Sequence, residues 1–90
     1  MNKRRPLIAG NWKMNKTTAE ARDFAIRFQE QVADITDVDM LICAPFTALS
    51  ALKEELEESI IHIGAQNMHY ETKGAFTGEI SAEMLLDLAC

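Results

Sequence analysis

The chain alternates short apolar runs with amphipathic segments, and this alternation limits the folds open to it. The runs Pro6–Gly10, Met40–Ala44 and Ile60–Ala65 have the continuous apolar character of central parallel strands. A helical pattern follows each of them. This order predicts parallel strands that are joined by right-handed crossovers. We therefore expect an α/β fold of three parallel βα units, forming a single domain over residues 1–90.

Hydroxyl residues mark the predicted helix starts. Thr17 and Glu20 form a capping-box pattern, Thr47 follows the second strand, and Ser81 precedes the last apolar segment. Apolar spacing of three or four residues predicts the inner helix faces: Ala21, Phe24, Ala25, Phe28 and Val32, then Leu49, Leu52 and Leu56, then Met84, Leu85 and Leu88. Residues 66–80 form a polar loop that is too long to be a mere connection, and loops of this length are usually functional.

Charge and hydropathy exclude several classes of partner. The net charge of −5 disfavours nucleic acid and anionic membranes, because both are negatively charged. No apolar run is long enough to cross a bilayer, and Gly10, Asn11 and Lys13 interrupt any signal-peptide core. We expect a cytoplasmic protein with no nucleic-acid or membrane partner. Cys43 and Cys90 lack redox or metal spacing, so we expect reduced thiols.

Polar groups follow the first strand where its apolar run stops. Asn11 and Lys13 lie two residues apart, so in an extended strand they would face the same side at its carboxyl end. An ammonium and a carboxamide on one face suit an anionic, oxygen-rich ligand such as a phosphate ester. The alternative is a solvated lysine at a strand terminus beside an asparagine in a turn. The spacing leaves both interpretations open.

The long loop offers two further candidate segments. Gln66 and Asn67 end the third strand with carboxamides, which commonly bond to turn backbone. In the segment Gly74–Glu79, Phe76 and the hydroxyl of Thr77 lie between two glycines. An exposed aromatic on such a loop is typical of a contact with a protein partner. The alternative is a loop folded back on its own domain with Phe76 as its anchor.

The two histidines do not indicate a metal or acid–base centre. His62 lies in the middle of the third strand, so we expect a helix-facing, hydrogen-bonded core residue. His69 lies in the loop without a second His or Cys at metal spacing, so we predict no metal. There is also no glycine-rich phosphate loop and no nucleophile–base pair. These residues could hold an anion but could not move a proton.

Four motifs together resemble one enzyme family. They are Gly10–Met14 (GNWKM), Cys43–Phe46 (CAPF), Gly64–Asn67 (GAQN) and Gly74–Glu79 (GAFTGE). In order and spacing they are similar to the first three strand ends and the third loop of triosephosphate isomerases. The resemblance implies part of an (α/β)8 TIM barrel. It also implies a homodimeric, cofactor-free enzyme of glycolysis and gluconeogenesis that interconverts dihydroxyacetone phosphate and glyceraldehyde 3-phosphate.

The resemblance also implies roles for single residues. Lys13 matches the catalytic and substrate-binding lysine that offsets the phosphate and enediolate charge, and Asn11 matches the residue that hydrogen-bonds the substrate. Thr77 matches the loop residue that enters the neighbouring subunit near its Asn11 and Lys13. The positions expected at the subunit interface are Met14, Gln66, Phe76, Thr77, Gly78 and Glu79.

The family's electrophilic histidine, in Gly-His-Ser-Glu-Arg, and its glutamate base do not occur in these 90 residues. We therefore expect the chain to be inactive alone and to act on triose phosphate when a complementary C-terminal fragment completes it. The alternative is a non-catalytic module that self-associates through open strand edges and a bare sheet face of Leu, Ile and Val. Phosphate binding without turnover is a third possibility.

Overall fold

The computed structural model describes residues 4–90. Within them the chain forms three strands and three helices in alternation: β1 Leu7–Asn11, α1 Thr18–Gln31, β2 Asp39–Ala44, α2 Phe46–Leu56, β3 Ile61–Ala65 and α3 Ala82–Asp87. The strands are parallel in the order β1-β2-β3. The predicted fold of three parallel βα units is confirmed. The domain predicted over residues 1–90 includes residues 1–3, which lie outside the described range.

The first helix begins as its sequence predicts. The Glu20 backbone N–H donates to the Thr17 hydroxyl at 3.2 Å, and the Thr17 N–H donates to the Glu20 carboxylate at 2.9 Å. This reciprocal box satisfies two backbone donors that a helix start leaves free. The apolar stripe of α1 then packs inward, with Ala21 and Ala25 fully buried. The capping box therefore places the stripe against the sheet and α2.

The starts of the other two helices differ from each other. Thr47 is not a cap, because α2 already begins at Phe46 with Pro45 at the N-cap position and no side-chain cap bond. Pro45 accepts the first helical bond through its carbonyl, and its φ of −56° suits a helix start. Ser81 does cap α3, accepting from the Met84 N–H at 3.3 Å. Met84 itself is 54% exposed, so its predicted inner position is wrong.

The two faces of the sheet have different compositions. Met40, Ile42 and Ala44 of β2 are buried against the helices, and the alternate residues face the other way. We call that other side the open face. The register places on it Leu7, Ala9, Asn11, Asp39, Leu41, Cys43, His62 and Gly64. The open face therefore carries Leu7 and Leu41 as expected, but it lacks the expected isoleucines, because those of β2 and β3 point toward the helices.

His62 also lies on the open face, contrary to the sequence prediction. It is exposed, whereas Ile61 and Ile63 on either side are buried against the helices. Successive strand residues alternate between faces, so two helix-facing isoleucines force the histidine between them outward. His62 is not a helix-facing core residue.

The edge formed by β1 is open within the described part of the chain. All five of its residues are exposed, and its described pairing is with β2. On the helix side, an apolar groove of about 340 Å³ lies between this strand and α1. Ile8, Trp12, Phe24 and Phe28 are among the side chains that line it. Within the described residues β2 is therefore paired on both sides, whereas β1 and β3 are each paired on one side.

Candidate functional site

The carboxyl ends of the three strands meet at one edge of the sheet. Asn11 is paired with Cys43, and Cys43 with Gly64, so the residues that follow these positions lie near one another. In α/β barrels this edge carries the ligand-binding residues. The polar groups that the structure brings together here are Asn11, Lys13 and Gln66.

Lys13 lies beside Asn11 for a different reason from the predicted one. β1 ends at Asn11, and Lys13 has a left-handed φ of 56°, so the two residues are not neighbours on one strand face. The Lys13 N–H donates to the Asn11 side-chain oxygen at 2.9 Å. A left-handed conformation costs a residue with a Cβ about 1–2 kcal/mol. The asparagine side chain helps to offset this cost and fixes the backbone that carries the ammonium.

Gln66 ties the ends of all three strands together. Its Nε2 donates to the Lys13 carbonyl at 2.9 Å and to the Cys43 carbonyl at 3.1 Å, and it lies 3.4 Å from the Asn11 Oδ1. The sequence predicted an amide bonded to turn backbone, but Gln66 reaches across the sheet instead. The subunit contact that the resemblance implies for Gln66 stays a prediction. The adjacent Asn67 does bond to the turn, accepting from the Met68 N–H at 2.8 Å.

The electrostatics of the site favour an anion. Lys13 is exposed and forms no ion pair with any residue of the described range 4–90. The side chains that hydrogen-bond to the Lys13 backbone, those of Asn11 and Gln66, are uncharged amides. A second lysine, Lys16, lies nearby in the chain with its Nζ 6.0 Å from the Trp12 ring centre. The arrangement can hold a negatively charged oxygen ligand. The two amides cannot act as a general acid or base toward such a ligand.

The segment Gly74–Glu79 folds back on its own chain. The Phe76 ring packs over Gly74, and its centre lies 4.4 Å from that of His69. Phe76 therefore anchors the loop on its own chain, yet it is 43% exposed, so the contact of Phe76 with a partner stays a prediction. Thr77 and Gly78 at the tip are exposed, and Met14 beside the site is 94% exposed. Their contact with a second subunit stays a prediction.

The other titratable groups form no second centre. Among residues 4–90 there is no cluster of three or more His, Cys, Asp or Glu residues that could hold a metal ion. Cys43 and Cys90 are free thiols, and burial, with a smaller contribution from Cys43, raises the pKa of Cys90.

In the same described segment, residues 4–90, no helix has both the length and the hydropathy that spanning a membrane requires.

Parallel βα units with a lysine and amides at the carboxyl edge have the architecture of a partial TIM barrel. Residues 6–90 match the family model described as triosephosphate isomerase. The chain belongs to the triosephosphate isomerase family.

Individual relatives agree with this assignment. The chain is 60% identical over 85 residues to the triosephosphate isomerase of Alkaliphilus metalliredigens, an alignment that covers 94% of this chain and 34% of the relative. It is 53% identical to that of Carboxydothermus hydrogenoformans, with the same coverage. The crystal structure of triosephosphate isomerase from Bartonella henselae superposes with a TM-score of 0.85 at 39% identity, covering 93% of this chain and 34% of that one. The chain thus spans about a third of the length of these relatives.

Proposed function

We propose that this chain supplies the N-terminal part of a triosephosphate isomerase, which interconverts dihydroxyacetone phosphate and glyceraldehyde 3-phosphate in glycolysis and gluconeogenesis. The observation that carries the proposal is the position of Lys13. In a chain of this family, Lys13 follows the carboxyl end of β1, and its backbone is held by Asn11 and Gln66.

The two site residues have separate tasks in this proposal. Lys13 offsets the negative charge of the substrate phosphate and of the enediolate that forms from it, and a preorganised cation is effective where charge develops. Asn11 hydrogen-bonds the substrate and keeps the Lys13 backbone in its left-handed conformation. The reaction needs no cofactor, and we expect it to take place in the cytoplasm.

The loop Gly74–Glu79 serves subunit association in the same proposal. Its exposed tip, Thr77 and Gly78, enters the neighbouring subunit close to that subunit's Asn11 and Lys13. Phe76 and Glu79 at the base of the tip, together with Met14 and Gln66, complete the contact. Support comes from the form of the loop, which projects an exposed hydroxyl from an anchored aromatic base.

A chimera tests the proposal. Residues 1–90 of this chain are joined to the C-terminal part, about two-thirds, of the Alkaliphilus metalliredigens relative, which is 60% identical over the replaced part. We expect the purified chimera to be a dimer that isomerises glyceraldehyde 3-phosphate. The C-terminal part alone is the control and should be inactive. A folded, dimeric chimera without turnover would contradict the proposal.

A second candidate is a non-catalytic module that self-associates. The exposed edge of β1 and the apolar groove of about 340 Å³ beside it favour this candidate, because unpaired strand edges invite pairing with another chain. We expect a polypeptide of these 90 residues alone to sediment as an oligomer at micromolar concentration. A compact species with the mass of one chain, free of exposed-hydrophobe dye binding, would exclude the candidate.

A further inference from the structure

His69 occupies the centre of an aromatic cluster at the base of the long loop. Its ring centre lies 4.6 Å from that of Tyr70 and 4.4 Å from that of Phe76. The side chain is only 18% exposed. Phe76 lies directly before the exposed tip of the loop, so the His69 ring packs against the residue from which the tip projects.

The contacts of His69 are those of a packed ring rather than of a hydrogen-bonding group. Its Nε2 is buried without a hydrogen-bond partner in the described part of the chain. Its Nδ1 lies 3.9 Å from the Glu79 Oε2, which is longer than a hydrogen bond. The backbone is well bonded, with the His69 N–H donating to the Ile80 carbonyl at 2.8 Å. Tilted packing against Tyr70 and Phe76 therefore accounts for the placement of the side chain.

The loop has little other support on this side. A cavity of about 180 Å³ lies between it and the start of α3, lined by Gly74, Phe76, Glu79 and Met84 as well as His69. The Glu79 N–H donates to the Phe76 carbonyl at 3.0 Å, so the turn at the tip closes on Phe76 itself. The Phe76 ring thus connects the tip to the body of the chain through His69.

We propose that His69 is a positioning residue that holds the Gly74–Glu79 loop in the shape in which it docks onto a second copy of the protein. The inference rests on the proposed function, which assigns this loop to the subunit interface. A preformed loop loses less conformational freedom on docking. His69 therefore strengthens association by fixing Phe76 and does not itself contact the partner. The chemistry required of residue 69 is an aromatic ring and not an ionisable nitrogen.

Three substitutions in the chimera separate the ring from the nitrogens. His69→Ala removes both, His69→Asn keeps a polar side chain without a ring, and His69→Phe keeps the ring alone. We expect Ala and Asn each to raise the subunit dissociation constant by about tenfold, the cost of ordering one side chain on docking. We expect Phe to stay within about threefold of the unsubstituted chimera, because it keeps the ring contacts and removes a buried unsatisfied nitrogen.

Sedimentation equilibrium gives the dissociation constants, and hydrogen exchange at the Glu79 amide reports loop order. We expect the Glu79 amide to exchange slowly in His69→Phe and fast in His69→Ala and His69→Asn. The amides of β2 should stay protected in all three variants. The proposal would be overturned if His69→Asn kept the dissociation constant of the unsubstituted chimera and His69→Phe did not. An unchanged dissociation constant in His69→Ala would also overturn it. Loss of protection throughout the Ala and Asn variants would also overturn it, by showing a general stabilising role.

The proposed function can fail separately from this inference. An inactive chimera whose dimerisation follows the expected order of variants would keep the inference and reject the catalytic assignment. An active chimera that is monomeric would keep the catalytic assignment and reject the role of His69 in docking.

Discussion

The side-chain amide of Gln66 donates to the backbone carbonyl of Lys13 at 2.9 Å, although 53 positions of sequence separate the two residues. The same nitrogen bonds to the Cys43 carbonyl at 3.1 Å. A residue directly after β3 therefore holds the backbone directly after β1. That stretch of backbone carries Lys13, the candidate substrate-binding residue. The direction of that ammonium depends on the third βα unit as well as on the first.

Replacing Gln66 should therefore impair catalysis more than folding. In the chimera, Gln66→Ala should lower kcat by about tenfold through misplacement of Lys13. It should lower the free energy of unfolding by about 1 kcal/mol, the net value of an ordinary hydrogen bond. Gln29→Ala is a matched control, because the Gln29 amide donates to the Glu55 carbonyl at 3.0 Å, near the end of α2 rather than at the carboxyl ends of the strands. Equal losses of kcat in both variants would contradict the positioning role.

Lys13 and Lys16 allow a paired test of the charge itself. Both have left-handed backbones, with φ of 56° and 83°. Lys13→Met in the chimera should lower kcat/KM by at least about a hundredfold, because a preorganised charge at the reacting atoms is lost. Its free energy of unfolding should change by less than about 0.5 kcal/mol, as is usual for an exposed side chain.

Lys16→Met is the control for that substitution. Its Nζ lies 5.8 Å from the Phe24 ring centre, so its loss should cost only about 0.5 kcal/mol of stability. Its activity should remain close to that of the unsubstituted chimera. Comparable activity losses in the two methionine variants would show that net charge, rather than the position of Lys13, is what matters.

The sequence predicts the elements of this fold better than the directions of their side chains. Apolar runs give the three strands, and the Thr17 capping box gives the start of α1. A continuously apolar strand does not reveal which alternate residues face the helices, so the prediction for His62 was wrong. Pro45 supplies a helix start without a hydroxyl, so the cap predicted at Thr47 was wrong.

The candidate site was predictable in composition but not in geometry. Asn11 and Lys13 follow from the polar end of an apolar run. The left-handed turn at Lys13 depends on a hydrogen bond to the Asn11 side chain and on Gln66, two units away in the sequence. The only local signal for Gln66 is its position directly after β3, at the edge where Asn11 ends β1. Contacts between units determine such details, and local patterns do not show them.

The capping box predicts a pH dependence of stability. The hydrogen bond from the Thr17 backbone, followed by that from its hydroxyl, lowers the pKa of Glu20 from its ordinary value of 4.5. The unfolded chain therefore binds a proton at this carboxyl at a higher pH than the folded chain does. The contribution of Glu20 is present above about pH 4.5 and is lost as the pH falls through the lower, folded pKa.

Urea unfolding of the chimera from about pH 3 to about pH 7 measures this contribution. Glu20→Gln should flatten the acid side of the stability profile. Thr17→Ala should lower the free energy of unfolding at neutral pH by about 1 kcal/mol, as for other lost N-caps. Thr18→Ala, one position further on, is the control and should have a smaller effect. An acid profile that is unchanged in Glu20→Gln would refute the assignment.

A polypeptide of these 90 residues alone should not isomerise triose phosphates. The side chains that hydrogen-bond around Lys13 in the described range are amides, and general acid–base steps contribute factors of about 10²–10⁴ each. Turnover of glyceraldehyde 3-phosphate should equal the buffer blank. Turnover that Lys13→Ala abolishes would contradict this expectation, whereas turnover that the same substitution leaves unchanged would indicate a contaminating enzyme.

The two glycines of the loop provide the final test of its anchored shape. Both have left-handed backbones, with φ of 143° at Gly74 and 86° at Gly78. A Cβ at Gly74 would lie 2.7 Å from the Phe76 Cε2, whereas a Cβ at Gly78 would have no atom within 4 Å. Gly74→Ala therefore adds displacement of the Phe76 ring to the backbone strain that both substitutions share.

Each substitution should cost at least about 1 kcal/mol of backbone strain. Gly74→Ala should cost about 1 kcal/mol or more beyond that, because its φ of 143° lies further from the conformations that L residues adopt and because the Phe76 ring must leave its contact with His69. Hydrogen exchange at the Glu79 amide in the chimera should accelerate strongly in Gly74→Ala and only weakly in Gly78→Ala. If the two variants exchange equally fast, the backbone strain alone governs the loop, and the packing of Phe76 against Gly74 and His69 does not anchor it.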